Sequence, residues 1–445
     1  MANDLLSIAK SGARSSRLAL DVTAQNIANA ATEGYVRRSV GLAEVASTGG
    51  IAPFTQLNLS GVRVDSIIRN ADAFRQSEVR RTGSDLARAD AELAGLQNIE
   101  TAIEQTGIYD SIVGFEAALQ QLAADPVDPS LRAATIEAAR SMAGNFNVAD
   151  ANLAAAGDGM RFEAAGAVEQ VNLLSDELAR VNLRLARTAD NSGDQAALLD
   201  QRDLLLQQIS DSVGISTKIN ADNTVDVRLG DSSGPVLVTG GTAASLTMTS
   251  AADGTVSFDL DGTAVAPSAG SLAGHAQALD MLAQMRGDLD TLATDMADAV
   301  NAAQGAGIDL AGASGTNLFT ATGAGDIALA FEDGALIATA PAGAGAGSRD
   351  TTNLSALQAA MTGGNIAGRM DGLLFDISST VAGRQTMRDT IATIADQAST
   401  ALAAQSAVDL DEEAVNLVRF QQAFQASGRV MQVASELFDT ILGIR

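Results

Sequence analysis

The stretch Asp409-Leu-Asp-Glu-Glu-Ala-Val-Asn-Leu-Val-Arg-Phe-Gln-Gln-Ala-Phe-Gln-Ala-Ser-Gly-Arg-Val-Met-Gln-Val-Ala-Ser-Glu-Leu-Phe-Asp-Thr-Ile-Leu442 decides the architecture, because its apolar residues keep one strict spacing. Leu417, Phe420, Phe424, Ser427, Met431, Ala434, Phe438 and Ile441 recur at intervals of 3-4-3-4-3-4-3, and seven of the eight are apolar. A 3.5-residue period holds such a stripe on one side of an α-helix and asks for a second helix in coiled-coil geometry. A terminal helix docked on its own core meets the same spacing. The candidate partner is at the other end of the chain. From Leu5 to about Ala30 there is no proline, and Leu6, Ala9, Ala13, Leu20, Ala24 and Ile27 fall near three-and-four spacing. That stripe of small residues lets another helix come close.

The first helix runs into Asn26-Ile-Ala-Asn-Ala-Ala-Thr-Glu-Gly-Tyr35, where Gly34 supplies the positive φ of a turn and Asn26 and Asn29 tolerate it. Tyr35 reads equally as an interaction residue or as a cap on the neighbouring helix. Val36 to Ser66, with Gly49-Gly50, reads as extended or looped. A helix is expected from Ser84 as N-cap, and another from Ile108 to Ala124, ended by Asp125-Pro-Val-Asp-Pro129. Helical pattern resumes from Ser130 to about Asp211 with breaks near Gly157 and Gly193. Within it Leu173, Leu174, Leu178, Val181 and Leu185 suit an antiparallel bundle partner. Short alternating segments follow at Ile215–Ile219, Thr224–Leu229, Val236–Thr239, Ser245–Ser250 and Thr255–Leu260, with Asp253-Gly254 and Asp261-Gly262 as turn signals. Helix returns from Leu272 to about Ala303. A weaker hairpin is expected over Ile327 to Ala338 turning at Asp333-Gly334, then a flexible linker at Ala342–Ser348 and helix from Asn353 onward.

Length and composition set the limits. The 445 residues carry 28 basic and 54 acidic side chains, a net charge of −26, and 46 % are hydrophobic. At roughly 150 residues per domain this is about three domains with real cores. So acidic a chain repels phosphate backbones and anionic head groups, which argues against nucleic-acid binding and membrane association. With no Cys and one histidine, His275, there are no disulfides, thiolate metal sites or His-rich cages. No run reaches the ~18 to 20 apolar residues of a membrane span, and Met1–Leu20 lacks the apolar block of a cleavable signal. Residues 215–350 hold 16 acids against 4 bases; residues 1–40 hold 5 bases against 3 acids, and 408–445 hold 3 against 6. The opposite signs of the two ends favour their association modestly.

Both terminal motifs resemble those of the flagellar rod, hook and hook-associated axial proteins. Asn26–Tyr35 is similar to that family's N-terminal motif, and Asp409–Leu442 to its C-terminal one. Asn416-Leu417 with Phe420-Gln421 and Ala426-Ser427 is closer to the hook-associated branch than to rod and hook subunits. Leu122-Ala-Ala-Asp-Pro126 through Arg132, and Leu199-Asp-Gln-Arg-Asp-Leu204 followed by Ile209-Ser210, match that branch as well. The resemblance spans about 1–230, 270–310 and 350–445. Glu33 departs from it by standing at a usual proline, and Gly428 by standing at a usual alanine.

The resemblance implies a structural subunit joining hook to filament, self-assembling with neighbouring copies and exported without cleavage to an extracellular place in the flagellum. It implies the hook protein, hook-associated protein 3 and an export chaperone as partners. A hook or rod subunit of the same family is the alternative. The expected fold is α+β, elongated and multidomain. Terminal helices (1–40, 405–445) pair in a coiled-coil-like assembly domain, followed by a helical middle (41–214, 271–310, 350–404) and a small β domain (215–270, about 318–345). The assembly residues are Leu6, Ala13, Leu20, Asn26, Ile27, Asn29, Gly34, Tyr35, Leu417, Phe420, Phe424, Met431, Phe438 and Ile441. No catalytic residue, metal or cofactor is assigned.

Two motifs compete weakly. Gly230-Asp-Ser-Ser-Gly-Pro235 is like the nucleophile context of chymotrypsin-type hydrolases, which would make Ser232 and His275 a catalytic pair. His275 follows the serine where those enzymes place it before, and a hairpin loop explains the residues equally well. The acids near 220 and 250 lack the Asp-x-Asp-x-Asp-Gly pattern with a distal Glu that calcium loops use. They read as turn residues on a solvated face.

Overall fold

A computed structural model describes residues 2–46 and 59–443; Gly49-Gly50 lie outside the described residues. In chain order the elements are α1 (Ala2–Ala28), β1 (Arg38–Ala46), β2 (Leu59–Arg69), α2 (Ala73–Glu104), α3 (Ile108–Leu122), α4 (Pro129–Leu185) and α5 (Gly193–Ser212). Strands β3 (Ile215–Ile219), β4 (Val225–Leu229), β5 (Val236–Thr239), β6 (Thr242–Ala243), β7 (Leu246–Ser250), β8 (Val256–Leu260) and β9 (Thr263–Val265) follow, then α6 (Ser271–Ala306). Strands β10 (Gly307–Ile308), β11 (Phe319–Thr320), β12 (Ala328–Leu329) and β13 (Ala340–Pro341) lead to α7 (Thr352–Gly363), α8 (Ile366–Ser406) and α9 (Leu410–Gly443). The fold is α+β, with long helices and small antiparallel sheets. Among the described residues no helix is long and apolar enough to cross a membrane.

Contacts divide the chain into two compact units. One holds Met1–Ser84, Val171–Ser245 and Thr393–Arg445; the other holds Asp85–Gln170 and Leu246–Ala392. In the first, α1 packs along α9 and against the β1–β2 hairpin, and β3-β4-β5-β6 form one sheet. In the second, α3, α4, α6 and α7 share a core around Ile112, Phe115, Phe146 and Met296, with Phe115 and Phe319 edge to face at 6.0 Å. The strands between 215 and 265 therefore do not gather in one unit: β3–β6 go with the first, and β7-β8-β9 with the second.

The turn chemistry acts as read. Gly34, Gly254 and Gly262 have φ of 75°, 86° and 85°, and Asp261 joins its glycine at 48°, the left-handed pair of a two-residue hairpin turn. Four local expectations fail for physical reasons. The helix placed at Ser84 begins at Ala73, because Asp72 Oδ1 accepts from the backbone N–H of Phe74 and Arg75 at 2.9 and 3.1 Å and caps it. Ser84 itself is buried inside the helix. Gly157 does not break α4. A Cβ there would lie 2.6 Å from Leu282 Cδ2, so the glycine serves close approach of α6. No hairpin turns at Asp333-Gly334. Ala328–Leu329 pairs with Phe319–Thr320, and Asp333 Oδ1 accepts from Ala335 N at 2.8 Å to start the 3-10 turn Gly334–Leu336. The buried Arg132 then takes the Gly334 and Ile337 carbonyls at 3.0 and 2.9 Å. The Ala342–Ser348 tract is a tied turn, with Gly347 N donating to Leu310 O at 2.9 Å.

Candidate assembly interface

The two terminal helices run antiparallel along each other. Gly12 of α1 faces Ser427 of α9, where an added Cβ would sit 3.0 Å from the serine Oγ, while Arg37 beyond the far end of α1 pairs with Glu413 at 2.7 Å. Ser427, the polar member of the heptad stripe, thus lies at a close approach, where a bulky side chain would hold the helices apart. The side of α1 that is covered carries Ala9, Ala13, Ser16, Ala19, Val22, Thr23 and Asn26, all buried. On α9 only Ala434 of the stripe is buried outright. Leu417, Phe420, Ser427 and Met431 are half-buried, and Phe424 and Phe438 stay 42 % and 46 % exposed. Leu6 is exposed and Leu20 and Ile27 half-buried; the Ile441 side chain lies outside the described residues. One α1 helix is too narrow, and too rich in alanine and serine, to cover the α9 stripe.

A second apolar face is exposed on the same helices. Val415, Val418, Val430, Val433 and Leu437 of α9, and Leu5 and Ile8 of α1, stand open in the single chain. Large apolar side chains at that density on one pair of helices exceed the scattered singles of an ordinary surface.

The remaining N-terminal candidates have a different task. Asn26 is 1 % exposed. Its Nδ2 donates to Arg38 O at 2.8 Å, and its Oδ1 accepts from Arg38 N at 3.0 Å and from the Tyr35 hydroxyl at 2.8 Å. The amide thus imitates a backbone neighbour and pins the end of α1 to the start of β1. Arg38 lies over the Tyr35 ring, 4.9 Å from its centroid, and burial raises the phenol pKa despite that cation. Asn29 Nδ2 donates to Gln25 O at 2.8 Å, closing the helix end. A Cβ on the exposed Gly34 would meet Leu204 Cβ at 3.2 Å.

Beside this pin sits a network of charges that sequence reading missed. Asp200 accepts from Arg38 Nη2 at 2.7 Å and Arg69 Nε at 2.6 Å. Asp203 accepts from Arg202 Nε and Nη2 at 3.0 and 2.8 Å and from Gln76 Nε2 at 2.9 Å. Arg69 Nη2 lies 2.7 Å from Asp203 Oδ2, close enough to pair but too poorly aligned to hydrogen-bond. Burial pushes the Asp203 carboxyl up, yet Arg202 and Arg69 together hold it below the usual range. Arg37 Nη2 reaches Glu412 at 3.0 Å, its Nε reaches the buried Glu413, and its N–H donates to Ser406 O at 3.0 Å. The family-like stretches 26–35, 199–204 and 409–413 therefore converge in one unit. The visible signal was Asp-Gln-Arg-Asp, charges spaced along a helix whose burial no apolar count predicts.

The two residues of the hydrolase motif lie in different units. Ser232 is exposed in the β4–β5 loop of the first unit and His275 is buried in α6 of the second. Asp231 Oδ1 accepts from Ser233 N and Oγ at 2.7 and 2.6 Å, a local turn. Asp222 and Asp253 do the same for Thr224 and Thr255.

Residues 93–319 match the family profile described as the flagellar hook-associated protein FlgK helical domain. The chain belongs to the FlgK family. Residues 400–444 match the C-terminal profile of the flagellar basal body rod FlgEFG proteins. Flagellar hook-associated protein 1 of Bacillus subtilis (strain 168) is 25 % identical over 98 % of this chain and 97 % of its own length. Its counterparts in Salmonella typhimurium (strain LT2) and Escherichia coli (strain K12) are 29 % and 27 % identical over 72 % and 71 % of the chain. The alignment spans only 59 % and 60 % of those two FlgK proteins. The solved structure of the flagellar hook junction protein FlgK from Burkholderia pseudomallei overlaps 54 % of this chain and 46 % of its own, at 24 % identity and a TM-score of 0.45.

Proposed function

We propose that this FlgK-family chain is a structural subunit of the bacterial flagellum at the junction of hook and filament, and that it assembles by covering the open faces of α1 and α9 with those of neighbouring subunits. One observation carries the mechanism: Val415, Val433, Leu437, Phe424 and Phe438 are 42 % to 68 % exposed on a helix already packed along α1. Fully burying such a side chain contributes about 1.5–3 kcal/mol, so covering half of each still favours association by several kcal/mol over the face. The role is one of assembly rather than turnover. The hook protein and hook-associated protein 3 are the expected axial neighbours, and a chaperone would shield the apolar faces before export without cleavage.

Deletion of the gene tests this reading. The expected result is hooks that carry no filament, with flagellin shed into the medium and motility restored by the wild-type chain. Filaments of normal length on the deletion strain would refute the junction role, and missing hooks would favour a rod or hook subunit.

A further inference from the structure

Resting on the reading of the chain as an assembling subunit, we propose that charge banded along α1 and α9 sets the displacement between neighbouring copies, the basic middle of one helix pair lying against the acidic ends of the next. Residues 5–20 of α1 and 414–435 of α9 carry Lys10, Arg14, Arg17, Arg419 and Arg429 and no Asp or Glu. All five are exposed, and among the described residues none makes an ion pair; Arg419 lies over the Phe420 ring, 5.2 Å from its centroid. Asp21 closes this belt on α1, and the β1–β2 hairpin packed on α1 adds Glu44 and the Arg63–Asp65 pair. The belt keeps an excess of cations in a chain of net charge −26.

Both ends of the helix pair are acidic. Asp409, Asp411 and Glu412 are exposed at the start of α9, where Arg37 pairs with Glu412 at 3.0 Å and with the buried Glu413 at 2.7 Å. Glu436 and Asp439 are exposed in its last turns. The side chains of Asp4 and Arg445, one of each sign, lie outside the described residues. The bands share a face with the open apolar residues. Asp411, Val415, Gln422, Arg429, Val433 and Glu436 follow one another at intervals of three, four or seven residues, close to whole helical turns, and all are exposed.

Apolar contact along this face supplies affinity without fixing a position, because valines recur along it; opposite charges fix the register. Subunits related by rotation about one axis run parallel. Without displacement their basic belts would face each other, and like charge in contact opposes docking. Gly12 faces Ser427, so Lys10 and Arg17 lie level with about positions 429 and 422 of the antiparallel α9, and the belt centres near Phe424. The acids at 409–413 and at 436–439 are each about 13 residues from that centre, or about 20 Å at 1.5 Å per residue. One displacement of about 20 Å therefore matches both bands at once. The belt of one copy meets Asp411 and Glu412 of the next, while its own Glu436 and Asp439 meet that copy's belt. Such a contact is heterologous, the kind that closes into rings or propagates into helical arrays.

The chain has no Cys, so introduced thiols report alone. A deletion strain is made to express two differently tagged chains, one with Gln422→Cys and one with Leu437→Cys, each first shown to support swimming. Isolated flagella are treated with a short bis-maleimide. The expected product is a mixed dimer bearing both tags, in excess of dimers bearing one tag. It should fall about tenfold when the Leu437→Cys chain also carries Glu436→Arg and Asp439→Arg. It should recover when the Gln422→Cys chain carries Arg419→Glu and Arg429→Glu. All four positions are exposed, and the recovery separates loss of docking from loss of folding. Single-tag dimers in place of the mixed one would show copies in register and overturn the proposal. So would a mixed dimer that survives the charge reversals or does not recover with exchanged charges, and so would cross-links only to other flagellar proteins. Sedimentation of the full chain with phosphatidylglycerol vesicles while no mixed dimer forms would make the belt a lipid site and overturn it too. If the deletion leaves filaments in place, the junction reading fails; if it strips them and only single-tag dimers form, this inference alone fails.

Discussion

Asn26→Ala should unfold the first unit far more readily than removal of so small a side chain suggests. The substitution deletes three hydrogen bonds, those of Asn26 with Arg38 O, Arg38 N and the Tyr35 hydroxyl at 2.8, 3.0 and 2.8 Å. A net contribution of about 1 kcal/mol each gives ~3 kcal/mol, and the Arg38 N–H and C=O left unsatisfied raise the expected loss to about 3–5 kcal/mol. That is a large share of the ~5–15 kcal/mol by which a domain is stable. The chain has no Trp and two Tyr, so urea unfolding is best followed by far-ultraviolet circular dichroism, with hydrogen exchange of the Arg38 amide as the local probe. Asn26→Asp keeps the acceptor for Arg38 N and Tyr35 but sets an oxygen against Arg38 O, and should fall between wild type and Asn26→Ala. Tyr35→Phe should cost about 1 kcal/mol alone and almost nothing in the Asn26→Ala background, because the hydroxyl has then already lost its acceptor. A loss below about 1 kcal/mol for Asn26→Ala, or additive effects in the double mutant, would refute the pin and return Tyr35 to an intermolecular role.

Three further outcomes follow from packing and titration. Arg132→Met should destabilise the second unit by about 3–5 kcal/mol in thermal unfolding, since it strips buried donors from the Pro126, Gly334 and Ile337 carbonyls and from Thr339 Oγ1. Gly428→Ala should raise stability by about 1 kcal/mol, because no atom lies within 4 Å of the added Cβ and alanine is the better helix former; a lower melting temperature would contradict this. His275, buried with its Nδ1 3.8 Å from Glu163, has its pKa lowered below 6.5, chiefly by burial with Glu163 opposing. The unfolded chain then binds the proton more readily, so stability is complete above pH 6.5 and declines as pH falls below it. His275→Gln should flatten that part of the pH profile, which urea titrations across the range would show.

What the amino-acid order determined by itself is whatever one helix face or one turn encodes locally. The heptad from Leu417 to Phe438 specified a terminal helix needing a partner, and the small-residue stripe around Ala9 and Ala13 specified a helix that fits closely. Asp253-Gly254 and Asp261-Gly262 specified hairpin turns, because few other residues adopt those angles. Tertiary structure alone decided the rest. The first turns of α2 show no apolar stripe and were invisible, since they bury Arg80, which reaches Thr217 far away in sequence, and Thr82, whose hydroxyl turns back to the Glu78 and Val79 carbonyls. The Arg38, Arg69, Asp200 and Asp203 cluster escaped notice for the same reason: hydrophobic periodicity reports where apolar surface is removed from water, whereas a buried charge is held only by an opposite charge that the folded backbone carries to it.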